Sequence, residues 1–118
     1  MAAPEDAQAG STVTMIRLAT SFYAEMLNSP LLAHYFAGVQ MDALIAKQAS
    51  FIDTIIRGDT GYSAADLQRL HAHLDIDDGA FDELLAILDR TLRDYGMSGD
   101  LSARIHATFD SFRDVIVR

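Results

Sequence analysis

The chain has 118 residues, half of them hydrophobic, no cysteine and a net charge of −8. That is enough for one domain with its own core, and the missing thiols exclude a disulfide framework, a thiolate metal site and a cysteine nucleophile. The acidic balance and the single lysine, Lys47, argue against nucleic-acid binding, which needs clustered cations. No apolar run approaches the roughly 20 residues of a membrane span, so no membrane partner is expected.

The first residues, "MAAPEDAQAG", are small and polar, without the basic and apolar regions of a signal peptide. They read as a flexible segment over 1–12 of a cytoplasmic protein, ahead of a single domain over 13–118. From there every long segment has helical period. Met15, Leu18, Ala19, Phe22, Tyr23 and Met26 share one face of a first helix. The "NSP" at Asn28–Pro30 stops it, because the residue before proline is pushed out of the α region. "LLAHYFAG" follows as a short apolar turn or helix ending at Gly38.

A second helix begins near Asp42, with Leu44, Ile45, Gln48, Phe51, Ile52, Ile55 and Ile56 on its inner face. "RGDTGYS" at 57–63 reads as a loop. Ser63 to Asp66 matches a capping box, opening a short helix with Leu67, Leu70, His71 and Leu74 on one face. "DIDDG" ends it, and Asp77 or Asp78 can cap the next helix. That helix presents Phe81, Leu84, Leu85, Leu88, Leu92 and Tyr95 and stops at Gly96. Gly99 is placed in the following turn. A last helix carries Leu101, Ile105, Phe109, Phe112 and Ile116. The expected fold is all-α, with four main helices plus shorter ones.

Several motif matches fail on chemistry. "DIDDGAF" starts like a calcium loop but has Gly79 and Ala80 where an oxygen ligand and a glycine are needed. "RGD" at Arg57–Asp59 is a tripeptide of chance frequency. There is no HExxH, Glu-x-x-His pair, P-loop or GxSxG. What remains are polar residues on inner faces. His71 sits among leucines, whereas His73, two positions on, points roughly 200° away. His71 is either a core histidine bonded to a carbonyl or a single axial metal ligand. One histidine cannot hold a bare zinc or iron ion, but it can hold haem iron, whose porphyrin supplies the four in-plane bonds. Tyr23 and Gln48 either satisfy each other or a carbonyl, or point donors at a bound ligand. His34 and His106 have no motif around them and read as surface or packing residues.

"SFYAEMLNSPLLAHYFAGVQMDALIAKQASFI" and, twenty residues later, "LHAHLDIDDGAFDELLAIL" resemble a truncated haemoglobin of the first group, the small two-over-two globins. The likeness runs from about Thr14 to the C-terminus. It rests on the Phe22-Tyr23 pair, the "YFAG" turn, the "KQ..F" step, the spacing from His71 to Ile76, and Phe81. The resemblance implies a two-over-two helical sandwich holding haem b without covalent attachment, with His71 as the iron ligand. It implies Tyr23 and Gln48 as the distal donors to a ligand on the iron, Phe36 packed on the haem, and Leu44 at the usual distal-histidine position. Lys47 would pair with a propionate, and Phe51, Ile76, Phe81, Leu84 and Leu88 would line the cavity. In some relatives the side chain at the Lys47 position binds iron; the propionate role is preferred here.

The chain departs from these globins at two glycine pairs, replaced by "AGS" at 9–11 and "RGD" at 57–59. It departs again at Ile52, where some relatives carry a gating phenylalanine. The resemblance implies binding of oxygen, carbon monoxide and nitric oxide; the acidic surface disfavours self-association by bulk charge, and a monomer is expected. The resemblance also implies oxidation of nitric oxide by the oxygenated protein, with an external reductase restoring the ferrous state. Oxygen sensing or storage, a peroxidase-like reaction, and a haem-free globin-like interaction module are the alternatives.

Overall fold

The computed structural model describes residues 12–58, 68, 71 and 74–117. Among these, α1 runs Thr12–Leu27, a 3-10 turn runs Ala33–Phe36, and α2 runs Met41–Ile56. Then come α3 (Asp78–Asp94), α4 (Gly99–Asp110) and the short α5 (Arg113–Ile116). The expected capping box at 63–66, the positions Leu67, Leu70 and His73, and the segment 1–11 lie outside the described residues.

The apolar face of α1 becomes the core. Met15, Leu18, Ala19, Phe22, Tyr23 and Met26 are all at most 6% exposed. The helix ends where expected, and the buried Ser29 beyond it donates its hydroxyl to Glu83 Oε2 of α3 at 2.8 Å. α1 packs on α2 and on α3, and α4 in turn packs on both. Two helix pairs, α1–α2 and α3–α4, therefore lie across each other. This is the two-over-two arrangement that the resemblance implies.

This arrangement explains why α3 buries a wider stripe than one face predicts. Ala80, Ile87 and Thr91 join Phe81, Leu85, Leu88 and Leu92 inside, because α3 is covered by α1 on one side and α4 on the other. Asp77 caps it, accepting from Ala80 N at 2.8 Å. Tyr95 does not belong to that face. It lies just past the last turn, 37% exposed, and its phenol ties down the surface instead. It donates to the Arg17 carbonyl (3.0 Å) and shares a hydrogen bond with Ser21 Oγ (2.8 Å).

The final helix expected from periodicity is two. Ser98 caps α4 by accepting from Leu101 N, so Gly99 is helical rather than part of the turn. The helix then breaks at Ser111–Phe112 before α5. Near the break, Thr108 and Ser111 hydroxyls donate back to the carbonyls of Arg104 and Thr108, which competes with continued helix. The apolar period persists across the break, with Phe109 and Ile116 both buried. Periodicity could not reveal the break for that reason. Ile105 is fully enclosed at the crossing of α4 with its neighbours. Ile105→Ala is expected to cost roughly 2–5 kcal/mol in urea denaturation; a cost near zero would show that this core refills the void. No helix among the described residues is long and apolar enough to cross a membrane.

Candidate functional site

Tyr23 reaches the inside because α1 turns its apolar face inward, and the phenol comes with the ring. The ring meets Phe36 of the 3-10 turn edge-on, with centroids 5.6 Å apart and planes at 87°. Phe22 lies on its other side at 5.3 Å. Burial raises the phenol pKa well above its ordinary value, so Tyr23 stays a neutral donor at any physiological pH. Its hydroxyl makes no hydrogen bond to any described residue. A phenol inside the protein with no described hydrogen-bond partner is a candidate to donate to something that is not protein.

α2 carries Leu44, Lys47, Gln48 and Phe51 along one stretch. Its C-terminal half is sealed, with Ala49, Phe51, Ile52 and Ile55 buried. Its N-terminal half is not: Leu44, Ile45 and Gln48 are half-exposed and Lys47 is exposed. The Gln48 amide likewise makes no hydrogen bond to any described residue. The same incomplete cover recurs at Phe36, Ile76 and Leu84, half-buried apolar side chains packed against the edge of the core. Of these residues Tyr23 and Phe36 touch; partly uncovered apolar side chains and polar groups without described partners are of the kind that suits a large flat apolar ligand with a polar centre.

Other expected pocket residues are placed deeper. Phe51 belongs to an aromatic group with Phe109 (5.3 Å) and Phe112 (5.7 Å). Leu88 is wholly enclosed and Phe81 is 3% exposed. The outer face of Phe81 is covered by the Arg113 guanidinium, 4.8 Å from the ring centroid. The structure thus brings Tyr23 and Phe36 into contact, and puts Phe51, Phe81 and Leu88 in the packed interior.

His71 is helical and half-buried, with contacts of its own. It stands apart from the other histidines. His106 is half-exposed and pairs with Asp89 through Nδ1 at 2.7 Å; His34 is exposed with its ring against Tyr35. After the His71 stretch the chain passes Asp75 in the left-handed region (φ 52°), which Asp tolerates better than most residues, and enters α3 at its Asp77 cap.

Two arginines went unremarked at the level of sequence. Arg113 bonds Asp78, Asp82 and Asp110 at once. The hydrogen bonds that it donates to Asp82 and then to Asp78 are the main reason its guanidinium holds its proton even more firmly than usual. Arg104 donates to the Ile56 carbonyl. The only sequence signal for either is a basic residue on a helix that otherwise presents apolar and acidic side chains, which specifies no partner.

With this geometry, the comparisons with known proteins agree on one class. The model of the bacterial-like globins matches residues 7–118, and the chain belongs to that family. It is similar to a group 1 truncated hemoglobin of Tetrahymena thermophila, at 23% identity over 92 residues, 78% of this chain and 76% of that protein. Its fold is similar to the crystal structure of Chlamydomonas reinhardtii THB4, with a TM-score of 0.78 and 27% identity, covering 97% of this chain and 94% of that one. The fold is that of a truncated globin, in agreement with the resemblance seen in the sequence. As a globin, the chain is a haem-binding protein that takes diatomic gases.

Proposed function

We propose that the protein binds haem b non-covalently through His71 and converts nitric oxide to nitrate when oxygenated, with an external reductase returning it to the ferrous state. When bound, haem supplies the iron that takes the gas and carries the redox chemistry. The chain's own residues hold, orient and shield. His71 would hold the iron through one imidazole nitrogen. Tyr23 Oη and the Gln48 amide would serve as hydrogen-bond donors to a bound gas, and donors in a dry pocket are worth more than in water. Neither titrates near neutral pH, so the donor set holds where a distal histidine would switch. Phe36, Leu44, Ile76 and Leu84 offer apolar cover to the macrocycle, backed by Phe51, Phe81 and Leu88. Lys47, exposed on the open half of α2, supplies the cation for a propionate.

The observation that carries this reading is Tyr23, 6% exposed and without a described hydrogen-bond partner, in edge contact with Phe36. A haem-free interaction module has no use for a buried donor in that state. Oxygenated protein mixed with nitric oxide is expected to give nitrate in a one-to-one yield and ferric protein. Absence of nitrate would leave oxygen storage or sensing as the function of the same pocket.

A further inference from the structure

Two arginines of the C-terminal helices hold the two ends of the stretch that carries His71. At one end Arg104, exposed on α4, donates through Nη1 to the carbonyl of Ile56, the last residue of α2, at 3.2 Å. At the other end Arg113 of α5 forks onto the first turns of α3. Its Nη1 bonds Asp78 Oδ1 at 2.9 Å and its Nη2 bonds Asp82 Oδ1 at 2.6 Å, while Nε reaches Asp110 Oδ1 at 3.4 Å. The guanidinium plane covers Phe81, so it is held by packing as well as by charge. In the sequence His71 lies between these anchors, nearer the second.

We infer that Arg113, assisted by Arg104, is a positioning residue for His71: the C-terminal helices clamp both ends of the His71-bearing stretch and so set where its imidazole stands. This rests on the reading of His71 as the iron ligand. An isolated surface ion pair does little, but this is not one. The Arg113 side chain is only 27% exposed and satisfies three carboxylates from two elements with directed, charge-assisted bonds. A planar fork can do this and an ammonium cannot. Without it, Asp78 and Asp82 face each other uncompensated on the first turns of α3, beside the Asp77 cap that sets where the helix starts. His71 stands only seven residues before Asp78 in the sequence, so a shift at the start of α3 is expected to move it.

The test uses the haem-loaded full chain. The ferrous, ligand-free protein is examined by resonance Raman for its iron–histidine stretching band, and haem loss is timed by transfer to excess apomyoglobin. Arg113→Gln is expected to shift or broaden the band and to speed haem loss about tenfold, the scale at which residues behind a metal ligand act. Arg113→Lys recovers only part of this, and Arg104→Gln acts in the same direction with smaller size. Arg90→Gln is the control. It breaks a single, more exposed ion pair with Glu25 (3.3 Å) that joins α1 to α3, and it should move neither readout. If Arg113→Gln does not fold, Asp82→Asn removes the shortest arm of the fork and is read the same way. Variants that lose stability while band and haem loss stay at wild-type values overturn the clamp. A band absent from the wild type, or one that survives in His71→Ala, overturns the ligand assignment and the clamp with it; the two failures are thus distinguishable.

Discussion

His71→Ala is expected to yield a protein that folds yet retains almost no haem, with the Soret band lost on purification. A non-covalent haem keeps its place through apolar contact and one axial bond. In the proposed site the apolar contact would be spread over Phe36, Leu44, Ile76 and Leu84, and the bond to iron would come from His71. His34 is exposed and His106 is engaged with Asp89, so neither stands ready to replace it. Losing the ligand should weaken haem binding by more than about a hundredfold, beyond what the loss of a group behind a ligand costs. His71→Gly should regain the band when imidazole is added, because the free ring can occupy the space that the side chain leaves. A full Soret band in untreated His71→Ala would show that another residue holds the iron.

Tyr23→Phe is expected to act in opposite directions on gas binding and on stability. The ring stays, and with it the contacts to Phe22 and Phe36; only the hydroxyl goes. If the hydroxyl donates to a partly charged ligand, its loss costs about 1.5–3 kcal/mol. Oxygen should then dissociate roughly ten- to a hundredfold faster in stopped-flow measurements. In the haem-free chain the same hydroxyl has no described hydrogen-bond partner, so its removal breaks no bond to the described residues. There Tyr23→Phe should be neutral or stabilising. The pH dependence follows from the raised phenol pKa. Below about pH 10, the ordinary phenol value, folded and unfolded chains both keep the proton and the shift has no effect. Above it the unfolded chain releases the proton while the folded chain retains it, so stability falls as pH rises. Tyr23→Phe should lessen that alkaline loss. An oxygen dissociation rate unchanged by the substitution would remove Tyr23 from the distal site.

Tyr23 also shows how far the chain could be read before folding. Its place at the eighth position after Met15 on one helical face put it inside, and it is inside. Spacing could not say whether its hydroxyl meets a protein partner, because a partner comes from a different element. Likewise the period along α2 placed Leu44, Ile45 and Gln48 on the face that buries Ile52 and Ile55. Yet that face is sealed at one end and open at the other, since cover depends on which helices cross it and where. The Ser111–Phe112 break and the outward Tyr95 have the same origin: in each, a hydroxyl hydrogen-bonds to the backbone in a way the apolar period does not record.

Helix period, caps and stops are local, set by side chains within a turn or two of each other. From these the amino-acid order by itself determined an all-α domain, the inward faces of its helices, the Asp77 start of α3, and His71 and Tyr23 as polar exceptions among apolar neighbours. The packing of α1 and α4 across both partner helices was decided only by the tertiary structure. So were the edge contact of Tyr23 with Phe36, the uncovered half of α2, and the bonds of Arg104 to Ile56 and of Arg113 to Asp78 and Asp82. Each of these joins residues distant in sequence, and such contacts follow from how helices cross in space, which no spacing along one helix encodes.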